Sequence, residues 1–100
     1  METPIKVKDA LKLNQKKYRY KYGLTIVEGA KQIKDLLQGG FKTNVIFLSE
    51  KGDTFFEEIS GYGDLRIKKI AKDKMDRLCN TENNQGIAGI FPFKTPDEVK

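Results

Sequence analysis

The 100-residue sequence has no histidine and a single cysteine, Cys79. Without histidine there is no Ser-His or Cys-His catalysis and no ordinary general base near neutral pH. One cysteine with no histidine cannot build a structural zinc site, and it excludes an internal disulfide. A lone thiol fits a reducing, cytoplasmic setting. Long apolar runs are also missing. The longest, Val45 to Leu48, is four residues, against roughly 20 for a membrane helix. The N-terminus carries no apolar leader segment, so no membrane or secretory role is expected. Neither the P-loop pattern nor the dinucleotide-binding glycine pattern occurs. Gly61-Tyr62-Gly63 reads as a plain turn. No residue is assigned to catalysis or to a metal.

What is present is positive charge, and it is concentrated. Residues 1–22 carry Lys6, Lys8, Lys12, Lys16, Lys17, Arg19 and Lys21 against Glu2 and Asp9. The rest of the chain balances, so the whole net charge of +5 belongs to this segment. Its densest part interleaves the cations with Tyr18, Tyr20 and Tyr22. Lysine and arginine neutralise phosphates and release counterions, and tyrosine rings stack on unpaired bases. A polyanionic partner, nucleic acid first, is the natural reading. The plainer alternative is a solvated helix face with Tyr18 and Tyr22 packed inward and only Tyr20 exposed.

The remaining pattern alternates. Residues 6–22 read as one helix stopped by Gly23, and Leu24 to Val27 as a short strand. Gly29 opens a helix with an apolar stripe of Ala30, Ile33, Leu36 and Leu37, ended by Gly39-Gly40. Asn44 to Leu48 is a buried strand. Asp53 is a candidate cap for a short helix with Phe55, Phe56 and Ile59. Leu65 to Ile70 is a strand, and Asp73 a candidate cap for a helix with Met75, Leu78 and Cys79. A polar loop leads to the last strand, Gly86 to Phe91. Pro92 and Pro96 break the pattern in a charged tail. This rhythm predicts an α/β domain with helices on both faces of a small four-stranded sheet.

Two further features could meet a ligand. At Glu28-Gly29-Ala30-Lys31 a strand passes into a helix, where free N–H groups favour anions and Gly29 permits close approach. Lys31 would add charge. Glu28 has a structural alternative: it could offset the helix dipole or pair with Arg19. The loop containing Asn84, Gln85 and Gly86 offers side-chain amides suited to base edges or sugar hydroxyls, although most such loops are only loops.

Together, Gln15-Lys-Lys-Tyr-Arg19, Gly23, Ile26-Val-Glu-Gly29, Leu78, Thr81 and Gln85-Gly86-Ile87 resemble a known pattern. It is that of the N-terminal substrate-binding domain of SpoU/TrmH-type RNA ribose 2′-O-methyltransferases. The resemblance covers about residues 7–93. It implies a three-layer α/β/α sandwich with a mixed sheet, similar to ribosomal kink-turn-binding proteins. It also implies an RNA-binding domain at 1–93 and a linker at 94–100. That linker would lead toward a C-terminal SPOUT domain, which binds S-adenosylmethionine and forms the homodimer. The glycine-rich cofactor loops of that second domain have no counterpart in these residues. The chain is therefore expected to hold no cofactor and to bind ribosomal or transfer RNA without catalysing its methylation. Lys16, Lys17, Arg19 and Lys21 are the expected phosphate contacts, with Gly29, Lys31, Asn84, Gln85 and Gly86 secondary. Four such contacts on a single strand predict a log–log salt slope of roughly −3. Two rival readings are a stand-alone kink-turn binder acting through Gly29-Ala30-Lys31, and a protein-interaction domain whose basic helix docks an acidic surface.

Overall fold

The central strands are built from the most apolar stretches of the chain. In the computed structural model, which describes residues 3–93, Val45–Leu48 is buried at every position. The elements in order are α1 (Val7–Ala10), a 3-10 turn (Leu11–Asn14), α2 (Lys16–Tyr22), β1 (Leu24–Glu28), α3 (Ala30–Gln38) and β2 (Val45–Leu48). A second 3-10 segment (Glu50–Phe55), α4 (Phe56–Ser60), β3 (Ile67–Lys69), α5 (Lys72–Cys79) and β4 (Ile87–Pro92) complete the order. The sheet order is β1-β4-β2-β3. β4 runs antiparallel to both neighbours, with Ile26 opposite Ile90 and Ile46 opposite Gly89. β2 and β3 are parallel, with Phe47 opposite Lys68. The sheet is therefore mixed.

Two-residue periodicity sorts the strand side chains to opposite faces. Leu24, Val45, Phe47, Ala88 and Ile90 meet Ala10, Leu13, Met75, Leu78 and Cys79 on one face. Ile46, Leu48, Ile87 and Phe91 meet Ala30, Ile33 and Ile59 on the other. Two cores on one sheet make the expected three-layer sandwich. Burial pushes the Cys79 thiol up to about 11, with Glu28 and Asp76 adding to the effect. It is therefore a packing thiol at neutral pH, lying against the Met75 sulfur at 3.7 Å.

Several expectations are corrected in detail. Residues 6–22 are not one helix. Leu13 is buried in the core, and the Asn14 amide donates to the Arg77 and Leu78 carbonyls at 3.3 and 3.4 Å. Those anchors bind the first segment to the end of α5. Gln15 then adopts extended backbone (φ −102°, ψ 131°), and its carbonyl accepts from Tyr18 and Arg19 N–H, starting α2 afresh. Asp53 and Asp73 cap nothing. Asp53 lies within the 3-10 segment and pairs with Lys69; Asp73 sits inside the first turn of α5. β3 is three residues, not six, and pairs on one side only. Pro92 does not end the sheet early. It pairs with Leu24, and Phe93 N–H donates to the Gly23 carbonyl at 3.0 Å. Pro96 and the linker expected at 94–100 lie outside the described residues.

Candidate nucleic-acid interface

α2 owes its position to its two ends. Gln15 frees it from the core-bound first segment. Gly23, at φ +66°, turns the chain directly into β1 and lets its N–H close on the Arg19 carbonyl at 2.8 Å. Between these ends stand four cations and no acid. Lys16, Lys17 and Lys21 are exposed, and among the described residues none forms an ion pair. Each instead lies over a ring. Lys16 sits 5.5 Å from the Tyr20 centroid, Lys17 5.1 Å from Tyr18, and Lys21 5.9 Å from Tyr22. Lys12 approaches Tyr18 at 5.7 Å but is also paired with Asp9 at 3.5 Å. Cation–π contacts of this length orient an ammonium without neutralising it.

The rings are themselves arranged. Tyr18 and Tyr22 stack at 6.4 Å with 22° between planes, and Tyr20 tilts against Phe93 at 5.9 Å. Tyr20 and Tyr22 are 41% and 38% exposed. The alternative in which Tyr22 packs inward and only Tyr20 is exposed therefore does not hold. Two residues apart on the helix, Tyr20 and Tyr22 face different sides of α2, Tyr20 with Lys16 toward Phe93 and Tyr22 with Lys21 beside Tyr18.

Arg19 stands apart from the lysines. Its Nη1 donates to the Leu13 carbonyl at 2.9 Å and it is half-buried. It ties α2 to the 3-10 turn across the Gln15 break. Glu28 is exposed at the end of β1, and no ion pair joins it to Arg19 among the described residues. The Arg19–Glu28 brace is thus corrected to an Arg19–Leu13 brace.

The two secondary candidates turn out to be neighbours, and each consumes the other's hydrogen-bonding capacity. Gln85 Oε1 accepts from the Ala30 N–H at 2.8 Å, taking the first N–H of the α3 start that the sequence suggested for an anion. Gly29 is set by its backbone, at φ +90°, since a Cβ there would make only ordinary contact with Gln85 Oε1 at 3.5 Å. Lys31 is exposed and pairs with Asp35 at 3.1 Å, a contact of small energetic weight. Asn84 is spent on its own loop. Its amide donates to Asp76 at 2.9 Å and to the Thr81 carbonyl at 2.7 Å, and its Oδ1 accepts from Gly86 N–H at 2.9 Å. Gly86 is buried against Gly52. The Gln85 cap joins residues 55 apart, so no local signal could have shown it. Gln85→Ala should lower stability by about 1 kcal/mol, the usual loss for a helix cap, measured as a shift in the urea midpoint. Gln85→Glu, which keeps an acceptor, should not.

Asp76 anchors the same loop. Hydrogen bonds from Lys72 (2.6 Å) and then Asn84 hold its carboxyl below the usual carboxylate range. A depressed folded pKa stabilises the protein above the unfolded carboxylate value and loses that contribution as pH falls through the folded one. Stability should therefore decline below about pH 4, more in wild type than in Asp76→Asn. Urea midpoints on both sides of that pH check the difference.

Among the described residues no cluster of acids and cysteine could hold a metal, and no helix is long and apolar enough to cross a membrane. The family described as MRM3-like substrate binding domain matches residues 5–89. Among curated proteins, none matches. Solved structures with the same fold include an AdoMet-bound rRNA methyltransferase from Sinorhizobium meliloti (TM-score 0.70, 25% identity), covering 88% of this chain and 33% of that one. An RNA 2′-O ribose methyltransferase matches with TM-score 0.73 and 21% identity over 94% of this chain and 37% of that one. The SpoU methyltransferase AviRb from Streptomyces viridochromogenes, in complex with AdoMet, matches with TM-score 0.71 and 11% identity over 93% and 35%. At those two identities the likeness is one of fold. The chain spans about a third of the length of each of these proteins.

Proposed function

Because the chain belongs to the MRM3-like substrate-binding domain family, we propose that it grips RNA for a SpoU/TrmH-type ribose 2′-O-methyltransferase and does no chemistry itself. One observation carries the reading: three exposed lysines poised over tyrosine rings on α2, with no acid in that helix. Lys16, Lys17 and Lys21 would neutralise phosphates, while the exposed Tyr20 and Tyr22 rings would stack on unpaired bases. Ribosomal or transfer RNA, in the cytoplasm, is the expected substrate class.

The parent enzyme would move a methyl group from S-adenosylmethionine to a ribose hydroxyl. On this reading, cofactor binding and homodimer formation belong to a second domain. The Gln85 amide on the Ala30 N–H weighs against a kink-turn binder acting through Gly29-Ala30-Lys31.

Arg19 is committed to Leu13, so three lysines remain for phosphates on this helix. They contribute about −2 to the log–log salt slope on single-stranded RNA, less than four contacts would. The test is fluorescence anisotropy of the chain with single-stranded RNA over a salt series. Weak, roughly micromolar binding that fades with salt supports the reading. Absence of binding at low salt, or a ribonuclease-insensitive protein partner captured by α2, overturns it.

A further inference from the structure

A second basic cluster forms only on folding. Lys6 and Lys8, flanking the start of α1, line a hollow with Lys68 and Lys69 of β3, floored by Val7 and Ile70. The strand register explains the meeting. Lys68 lies opposite Phe47, whose side chain belongs to the core under α1 and α5, so Lys68 faces the α1 side of the sheet. Lys69 points the other way and pairs with Asp53. Lys6, Lys8 and Lys68 are exposed and, among the described residues, in no ion pair.

This cluster is continuous with the α2 surface. Lys6 and Lys8 also line the adjoining hollow, whose other wall is Tyr22 at the end of α2 and Leu24 at the start of β1. The carboxylate in that hollow, Asp9, is paired with Lys12. Lys6, Lys8 and Lys68 thus reach from the Tyr22 end of α2, across the α1 turn, to the sheet edge. A single lysine on an edge strand often serves only to discourage strand pairing. That explains Lys68 alone, but not its convergence with Lys6 and Lys8 over an apolar floor beside the tyrosine helix.

We infer that Lys6, Lys8 and Lys68 form a second phosphate-binding patch, so that one RNA strand tracks from α2 over α1 to β3. The inference rests on the RNA-gripping role assigned to α2. Val7 and Ile70 give the strand's sugars or bases an apolar rest between phosphate contacts. With six lysines engaged, the salt slope of the intact chain is about −4, and each patch supplies half of it.

The test uses the full chain and a uridine-rich single-stranded RNA of about 20 nucleotides, long enough to cross both patches. Wild type, Lys6/Lys8/Lys68→Ala and Lys6/Lys8/Lys68→Arg are titrated across a salt series, with circular dichroism to confirm folding. The alanine variant should lose about 2 from the slope and bind at least tenfold more weakly at low salt, while the arginine variant keeps the slope. If the alanine variant matches wild type while Lys16/Lys17/Lys21→Ala is impaired, the second patch is wrong and the α2 role stands. If wild type does not bind, both fall.

Discussion

Gly52→Ala should destabilise the domain by about 3 kcal/mol, the largest effect expected of any single methyl group here. Gly52 is buried in the 3-10 segment that follows β2. A Cβ there would run into the Gly86 carbonyl oxygen, while lying 2.6 Å from the carbonyl carbon and 3.2 Å from Leu48 Cδ2. The carbonyl cannot step aside, because it accepts from Ser49 N–H at 3.0 Å where the chain leaves β2. Gly86 cannot rotate away cheaply either. It sits at φ +80°, and the Asn84 side chain holds its N–H at 2.9 Å. Two backbones therefore meet where side chains would normally separate them. For a domain of 100 residues, that loss lowers the melting temperature by roughly 12–24 °C. Gly40→Ala is the control. Unlike Gly52 it has a positive φ (+87°), but a Cβ there meets nothing within 4 Å, so only the backbone strain, about 1 kcal/mol, should appear. Equal melting temperatures for the two variants would contradict the packing described. Loss of RNA binding in a Gly86 variant would by the same reasoning report unfolding, not a lost RNA contact.

The second large effect concerns affinity. Lys16/Lys17/Lys21→Ala should fold normally, since all three side chains are exposed and make ring contacts only. Its salt slope should be shallower by about 2, at roughly 0.7 per phosphate contact on a single strand. A fourfold rise in salt should then cost wild type about 18-fold more affinity than it costs the variant. Arg19→Ala is expected to differ in kind. Its guanidinium holds the Leu13 carbonyl, so it should lower stability, by about 1–3 kcal/mol, before it changes the salt slope.

The sheet and its two cores were largely legible in the sequence. Val45 to Leu48 and Ile87 to Phe91 are apolar at nearly every position, as strands covered on both faces must be. The apolar stripe of α3 was equally plain. The misreadings arose where long-range partners overrule local pattern. Gln15 looks helical in a basic, tyrosine-rich run. The break there exists because Asn14 is bound to carbonyls more than 60 residues away. Asp53 has the right residue type for a cap but is drawn to Lys69 on β3.

The candidate site divides the same way. The charge and rings of α2 are adjacent in sequence, so composition alone exposed them. Gln85 resembled a reader of bases until the fold brought it to the Ala30 N–H. Lys68 had no visible role while it lay in the balanced part of the chain. Register placed it beside Lys6 and Lys8.

The central claim is that the lysines of α2 hold RNA through its phosphates. Its most direct test is anisotropy of wild type and Lys16/Lys17/Lys21→Ala on the same single-stranded RNA, from about 50 to 200 mM salt. A wild-type slope steeper than the variant's by about 2 is the predicted result. Parallel slopes, with both proteins folded, would contradict it.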